Sequence, residues 1–186
     1  MFNIVVKKYG NPDNLIYEET ESLVLDKNSV RIKVESAGVN FADLLIIKGR
    51  YQERPRPPFS PGLEISGVIL EIGSNVTHLK VGDKVMSIMK YGGYRTEVVV
   101  PKENTYLKPS KMDILEAGGF PVIYGTAFSA IVTKAKLKKN EICVILGATG
   151  GVGMAAIEIA KAYGALVVAC GGNDKKLNVC VEKGAD

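Results

Sequence analysis

The feature that most constrains this chain is the run Gly147-Ala148-Thr149-Gly150-Gly151-Val152-Gly153. An apolar segment, Ile142 to Leu146, leads into it, and a helical pattern from Gly151 to Tyr163 leads out of it. A glycine-rich turn between a buried strand and a helix is the setting of a dinucleotide fingerprint. Glycine at 150 lets the backbone approach a pyrophosphate, and glycine at 153 lets the helix pack close to the strand. The helix N-terminus then offers free N–H groups and partial positive charge to the phosphates. Against the pattern G-x-G-x-x-G, Ala148 replaces the first glycine, with Gly147 one place earlier. Ala148, Thr149, Gly150, Gly151, Val152 and Gly153 are the candidate phosphate contacts. A plain tight turn is the competing reading.

The residues beyond the turn sharpen the expectation. A strand over Leu166 to Ala169 and a helix over Asp174 to Lys183 complete a β-α-β-α order, the texture of a parallel sheet with crossover helices. An NAD-preferring site places Asp or Glu after the second strand, about 20 residues beyond the glycines, to bond the ribose. Here the chain reads Cys170-Gly171-Gly172-Asn173-Asp174-Lys175-Lys176. Glycine in the acidic place leaves room for a 2′-phosphate, Asn173 can donate a hydrogen bond, and Lys176 or Lys175 supplies positive charge. NADPH is therefore the expected cofactor, with Gly172, Asn173 and Lys176 beside it. Asp174 keeps NADH open, and Asn173 or Asp174 could simply cap a helix. A doubly wound sheet has about six strands, whereas two are legible here. The chain is therefore expected to be a fragment, with residues after Glu141 marginal in isolation.

Residues 1 to 110 have another texture. Val30-Arg31-Ile32-Lys33-Val34 alternates apolar and charged side chains, as in a strand with one face in water. Phe2 to Val6, Val68 to Ile72, Lys84 to Met89 and Thr96 to Val100 are further strand candidates. Asn40 to Lys48 is the only helical candidate, with Asn40 as its N-cap. Arg54 to Pro61 holds four of the eight prolines and reads as a stiff loop. The texture changes near Met112, where helical signal runs to Thr133, interrupted at Gly118-Gly119 and Pro121. Two domains are expected, 1–111 and 112–186.

Composition excludes several classes. With 46% apolar and 24% charged residues the chain suits a globular protein. A net charge of +4 is too mild to argue for nucleic acid, and the Lys134–Lys139 run reads as a solvated helix end. No segment is long and apolar enough to span a bilayer, and Met1 leads directly into a strand, so neither a membrane span nor a secretory leader is read. Cys143, Cys170 and Cys180 lie in apolar surroundings without a Cys-x-x-Cys partner, as buried reduced thiols of a cytoplasmic protein would.

Several stretches, in this order and spacing, carry a family resemblance over nearly the whole chain. They are Gly38-Val39-Asn40-Phe41-Ala42-Asp43-Leu44, Pro61-Gly62-Leu63-Glu64-Ile65-Ser66-Gly67, Gly73-Ser74-Asn75-Val76, Val81-Gly82-Asp83-Lys84-Val85, Tyr124-Gly125-Thr126-Ala127 and the glycine-rich turn. Together they resemble the quinone oxidoreductase branch of the medium-chain dehydrogenase/reductases. The resemblance implies an α/β chain, a GroES-like β-barrel catalytic domain followed by a partial Rossmann domain.

Zinc-dependent members of that family have a ligand Cys where Asn40 stands and a ligand His where Leu63 stands. Neither residue suits zinc, which takes thiolate, imidazole or carboxylate, so no metal is expected. The only histidine, His78, reads as a surface residue. The resemblance further implies that Asn40, Asp43 and Tyr51 line the cleft near the nicotinamide and that Thr126 contacts the nicotinamide or its ribose. Each also has a plain alternative: a helix cap, a first-turn residue, packing on the proline loop. The expected activity is NADPH-dependent reduction of a quinone or other conjugated carbonyl by a protein that is a homodimer when complete. Enoyl-thioester reduction and a non-catalytic nucleotide-binding role are the rivals.

Overall fold

Alternation along the strands builds the first half. In the computed structural model, which describes residues 1–186, β1 (Phe2–Val5) and β2 (Ile16–Glu19) form an antiparallel ribbon. The main sheet comprises β3 (Ser29–Ala37), β4 (Glu64–Ile72), β5 (Lys84–Ile88), β6 (Glu97–Pro101) and β7 (Thr105–Leu107). Its order is β6-β3-β4-β5-β7, antiparallel throughout. Val30 and Ile32 are fully buried, while Arg31 turns outward and meets Glu71 of β4 at 2.6 Å. They join Ile65, Ile69, Val76, Leu79, Val85, Val98 and Val100 in one apolar core. Burial of such side chains stabilises by about 25 cal/mol per Å² of apolar surface.

The sheet curls where β3 and β4 slip register, between Val34 and Ser36. Gly67 lies there, opposite Val34, and a side chain on it would run into the carbonyl of Lys33. Glycine at a bulge lets the two backbones close up and the sheet bend.

Helix α1 (Phe41–Ile47) follows β3 and buries Ile46 and Ile47. The proline loop has no regular structure and is fastened at two points. Tyr9 donates to the Pro55 carbonyl at 2.6 Å, and Phe59 bridges to Val6. After β7 comes a short helix, α2 (Ile114–Ala117), with Asp113 capping it through the Leu115 N–H at 2.8 Å. The α2 turn packs on β3 and β4: the hydroxyls of Ser66 and Ser36 donate to the carbonyls of Ile114 and Leu115. Gly118 ends the turn against Ser36, where no Cβ would fit.

The chain divides into two compact units, Met1–Pro121 and Val122–Asp186. The second contains most of α3 (Pro121–Phe128), a π-helical turn Ser129–Lys134, β8 (Ile142–Leu146), α4 (Gly151–Ala162), β9 (Leu166–Cys170) and α5 (Asp174–Glu182). β8 and β9 pair in parallel, with α4 as the crossover. Ile145 and Val167 face the α4 side, where Ala155, Ile157 and Ala160 complete a core. On the opposite face Ile142, Val144, Leu146, Leu166 and Val168 are exposed.

A polar tie joins the helices of this unit. Tyr124 donates to Glu158 at 2.5 Å, and Lys183 pairs with the same carboxylate at 2.8 Å. The bond to Glu158 and partial burial push the Tyr124 hydroxyl up to about 12. Lys183, then Tyr124, hold Glu158 below the ordinary carboxylate range.

The mixed α/β class expected from the sequence is thus the class observed. One expectation needs correction: the three thiols are free, but only Cys180 is buried, while Cys143 and Cys170 are half-buried. Cys170 is the last residue of β9. No helix is long and apolar enough to cross a membrane.

Candidate active site

In the first unit a polar knot forms at the start of α1. Asn40 is its N-cap, with extended backbone (φ −110, ψ 154). The Asp43 carboxylate reaches back to accept the Asn40 N–H at 2.8 Å, the reciprocal half of a capping box. Asp43 is 1% exposed, and its oxygens also accept the Gly62 N–H at 3.2 Å and the Tyr94 hydroxyl at 3.0 Å. Burial raises its pKa, and these three hydrogen bonds partly offset the rise. Tyr94 is itself raised, by burial first and then by the charge of Asp43.

The Asn40 side chain turns to a second carboxylate. Its Nδ2 donates to Glu64 Oε1 at 2.7 Å, and Glu64, at the start of β4, is 1% exposed. Two glycines make the knot possible. A Cβ on Gly38 would overlap the Glu64 carboxylate, and one on Gly62 would lie 2.6 Å from the Tyr94 ring. Gly62 also has φ +100, a conformation side chains rarely adopt.

Among the expected site residues, Asn40 and Asp43 are therefore brought together. Tyr51 is half-buried, and no hydrogen bond links it to either; its carbonyl accepts from Arg54 Nε at 3.1 Å. Glu64 and Tyr94 belong to the knot although sequence reasoning did not single them out as site residues. Leu63, beside Glu64, is a buried apolar residue. No group of three or more His, Cys, Asp or Glu side chains could hold a metal ion.

The second unit places the glycine-rich turn between β8 and α4. Gly147 adopts φ +68, the left-handed turn that ends the strand. Gly150 caps α4 without any side-chain hydrogen bond, so the first-turn N–H groups of Gly151, Val152 and Gly153 lack intrahelical partners. Gly153 is forced: a Cβ there would lie 2.7 Å from the backbone of Ala148. Ala148 differs from the expectation of a phosphate contact. It is fully buried and its N–H donates to the Cys170 carbonyl at 3.0 Å, so it anchors the turn to β9. Thr149 is half-buried, and a Cβ on Gly171 would lie 3.0 Å from its methyl group, so the turns after β8 and β9 adjoin.

Gly172 has open space around it, and a methyl group placed on it would meet no atom within 4 Å. Asn173 does cap α5, accepting the Lys176 N–H at 3.1 Å through Oδ1, which leaves its amide NH₂ available. Lys176 is exposed, as is Thr126 on α3.

Comparison with known proteins gives the same picture. Residues 26–111 match the alcohol dehydrogenase GroES-like domain. The chain is 36% identical to quinone oxidoreductase-like protein 2 of Bos taurus over 92% of its own length and 49% of that protein. It is 34% identical to the quinone oxidoreductase of Sus scrofa, covering all of this chain and 57% of that protein. The quinone oxidoreductase of Thermus thermophilus, whose structure includes a complex with NADPH, superposes with a TM-score of 0.88 at 31% identity. That match covers 100% of this chain and 58% of that one. The chain belongs to the quinone oxidoreductase branch of the medium-chain dehydrogenase/reductase family. It spans about half the length of the curated relatives it matches. In this medium-chain dehydrogenase/reductase the first unit carries the GroES-like domain and the second has the Rossmann order of strands and helices.

Proposed function

We propose that the protein reduces a quinone or other conjugated carbonyl with NADPH and without zinc. The observation that carries the reading is the uncapped first turn of α4, reached through a glycine-rich backbone and flanked by the acid-free Gly171-Gly172 turn. Bound there, a nicotinamide dinucleotide supplies hydride, and the protein supplies binding, orientation and electrostatics. Thr149, Gly150, Gly151, Val152 and Gly153 would hold the pyrophosphate against the helix N-terminus. Gly172 leaves space for a 2′-phosphate, Asn173 offers its amide, and Lys176 adds a positive charge. Thr126 would touch the nicotinamide or its ribose.

Asn40 would hold the acceptor's carbonyl oxygen by a hydrogen bond, with Tyr51 beside it and Asp43 fixing the backbone. No zinc is called for, because Leu63 is apolar and the Asn40 amide already bonds Glu64. A small-molecule acceptor, a homodimer and a cytoplasmic location go with this reading.

The test is NADPH oxidation by purified protein with a quinone and, separately, an enoyl thioester, with elemental analysis alongside. Quinone-dependent oxidation, insensitive to chelators and without stoichiometric zinc, is the expected result. Nucleotide binding with no turnover of either acceptor, or stoichiometric zinc, would overturn it.

A further inference from the structure

Asn40 is held twice, by two different buried carboxylates. Asp43 takes its backbone N–H at 2.8 Å, and Glu64 takes its side-chain Nδ2 at 2.7 Å. Capping α1 accounts for the first of these bonds, which is the N3 half of the capping box. It does not account for the second. A buried carboxylate is costly to desolvate unless well bonded, and Glu64 lies on β4 rather than on α1. The chain nonetheless makes room for it, by having no side chain at Gly38.

Chemistry shows what the second bond achieves. A primary amide has a donor end and an acceptor end of nearly the same shape, and here a Glu64 oxygen accepts from the donor end. Opposite Glu64, only the Nδ2 end of Asn40 is compatible, so the amide cannot flip. One Nδ2–H is engaged by the carboxylate, and the other is the amide's single remaining donor.

We infer that Glu64 is a positioning residue: it locks the Asn40 amide so that its second Nδ2–H is the group offered to the carbonyl oxygen of the acceptor. The inference rests on the function proposed above for the part played by Asn40. Glu64 itself touches neither acceptor nor cofactor in this account. Its effect reaches the reaction through Asn40.

Glu64→Gln keeps size and shape but lets the new amide face Asn40 with either end, so the lock is lost. Folded Glu64→Gln should show a Tm and NADPH Kd close to wild type, an acceptor KM little changed, and kcat lower by about tenfold to a hundredfold, the scale of a misplaced reacting group. Asn40→Ala added to Glu64→Gln should lower kcat far less than Asn40→Ala alone, because the two act as one unit. An unchanged kcat in the folded variant would overturn the inference. If Glu64→Gln does not fold, Glu64→Asp withdraws the oxygen while keeping the charge and should lower kcat in the same way.

A second readout separates this inference from the proposed function. In ¹⁵N spectra the Asn40 Nδ2 proton that faces Glu64 should be shifted downfield and slow to exchange in the wild type, and should lose both features in Glu64→Gln. Wild-type protein that turns over no acceptor would sink the functional reading alone, and the amide spectrum would still decide the positioning. Nδ2 protons that behave identically in both proteins would overturn it.

Discussion

Gly38 has no side chain at the place where the Glu64 carboxylate lies, and a single methyl there would overlap it. The two residues sit on adjoining segments, Gly38 just after β3 and Glu64 at the start of β4. Gly38→Ala should therefore force Glu64 away from Asn40. Overpacking of this kind costs about 1–3 kcal/mol, visible as a lower urea midpoint, and turnover should fall more steeply than stability. A variant with wild-type midpoint and wild-type turnover would show that the carboxylate has room to spare.

Gly153 is the corresponding tight point in the second unit. A Cβ on it would press on the Ala148 backbone at 2.7 Å, and Ala148 is tied to Cys170. Gly153→Ala should tilt the start of α4 away from the turn. Its nucleotide affinity, read by fluorescence titration, should drop at least tenfold, with a loss of stability of about 1–3 kcal/mol.

Lys176 tests the choice of cofactor. Its charge lies in the first turn of α5, and hydrogen bonds to charged groups contribute about 1.5–3 kcal/mol. Lys176→Ala should weaken NADPH about tenfold, the equivalent of roughly 1.4 kcal/mol, and leave NADH nearly unchanged. Equal losses for both nucleotides, or tighter binding of NADH by the wild type, would remove the 2′-phosphate role.

Glu158 and Asp43 respond to pH with opposite signs. Glu158 is depressed below 4.5 in the folded protein by Lys183 and Tyr124, so its stabilisation is present above that pH and lost as the pH falls through the folded value. Asp43 is raised above 3.8 by burial, so its contribution declines as the pH rises through its folded value. Unfolding midpoints between about pH 3 and 6 should fall on the acid side in the wild type. Glu158→Gln should flatten that fall and cost about 0.5–1.5 kcal/mol at neutral pH, the worth of an ordinary hydrogen bond. An identical acid slope in wild type and variant would show that the tie is not made in solution.

What the sequence revealed was local. The alternation of Val30 to Val34, the cap at Asn40 and the strand-turn-helix around Gly147 each depend on residues within a few places of one another. The knot at Asn40 does not. Glu64 and Tyr94 lie far along the chain and arrive through strand pairing and the turn after Gly92-Gly93. A carboxylate standing among the apolar residues of the Leu63–Ile65 stretch was the one available signal, since a charge in a buried strand must have a partner. The edge strands β2 and β7 escaped notice for a related reason: at 4 and 3 residues they are too short to show a period. The burial of the Ala148 N–H was equally invisible, because it depends on β9 lying beside the turn.

The adjoining turns after β8 and β9 bear on any attempt to re-engineer this protein for NADH. The obvious substitution, an acidic residue at Gly171, would crowd Thr149 at 3.0 Å and Leu177 at 3.3 Å, and so disturb the phosphate turn while trying to alter the ribose end. One position further on, at Gly172, nothing stands within 4 Å. A designer would do best to place the carboxylate there and neutralise Lys176 in the same step, leaving the grip on the pyrophosphate intact.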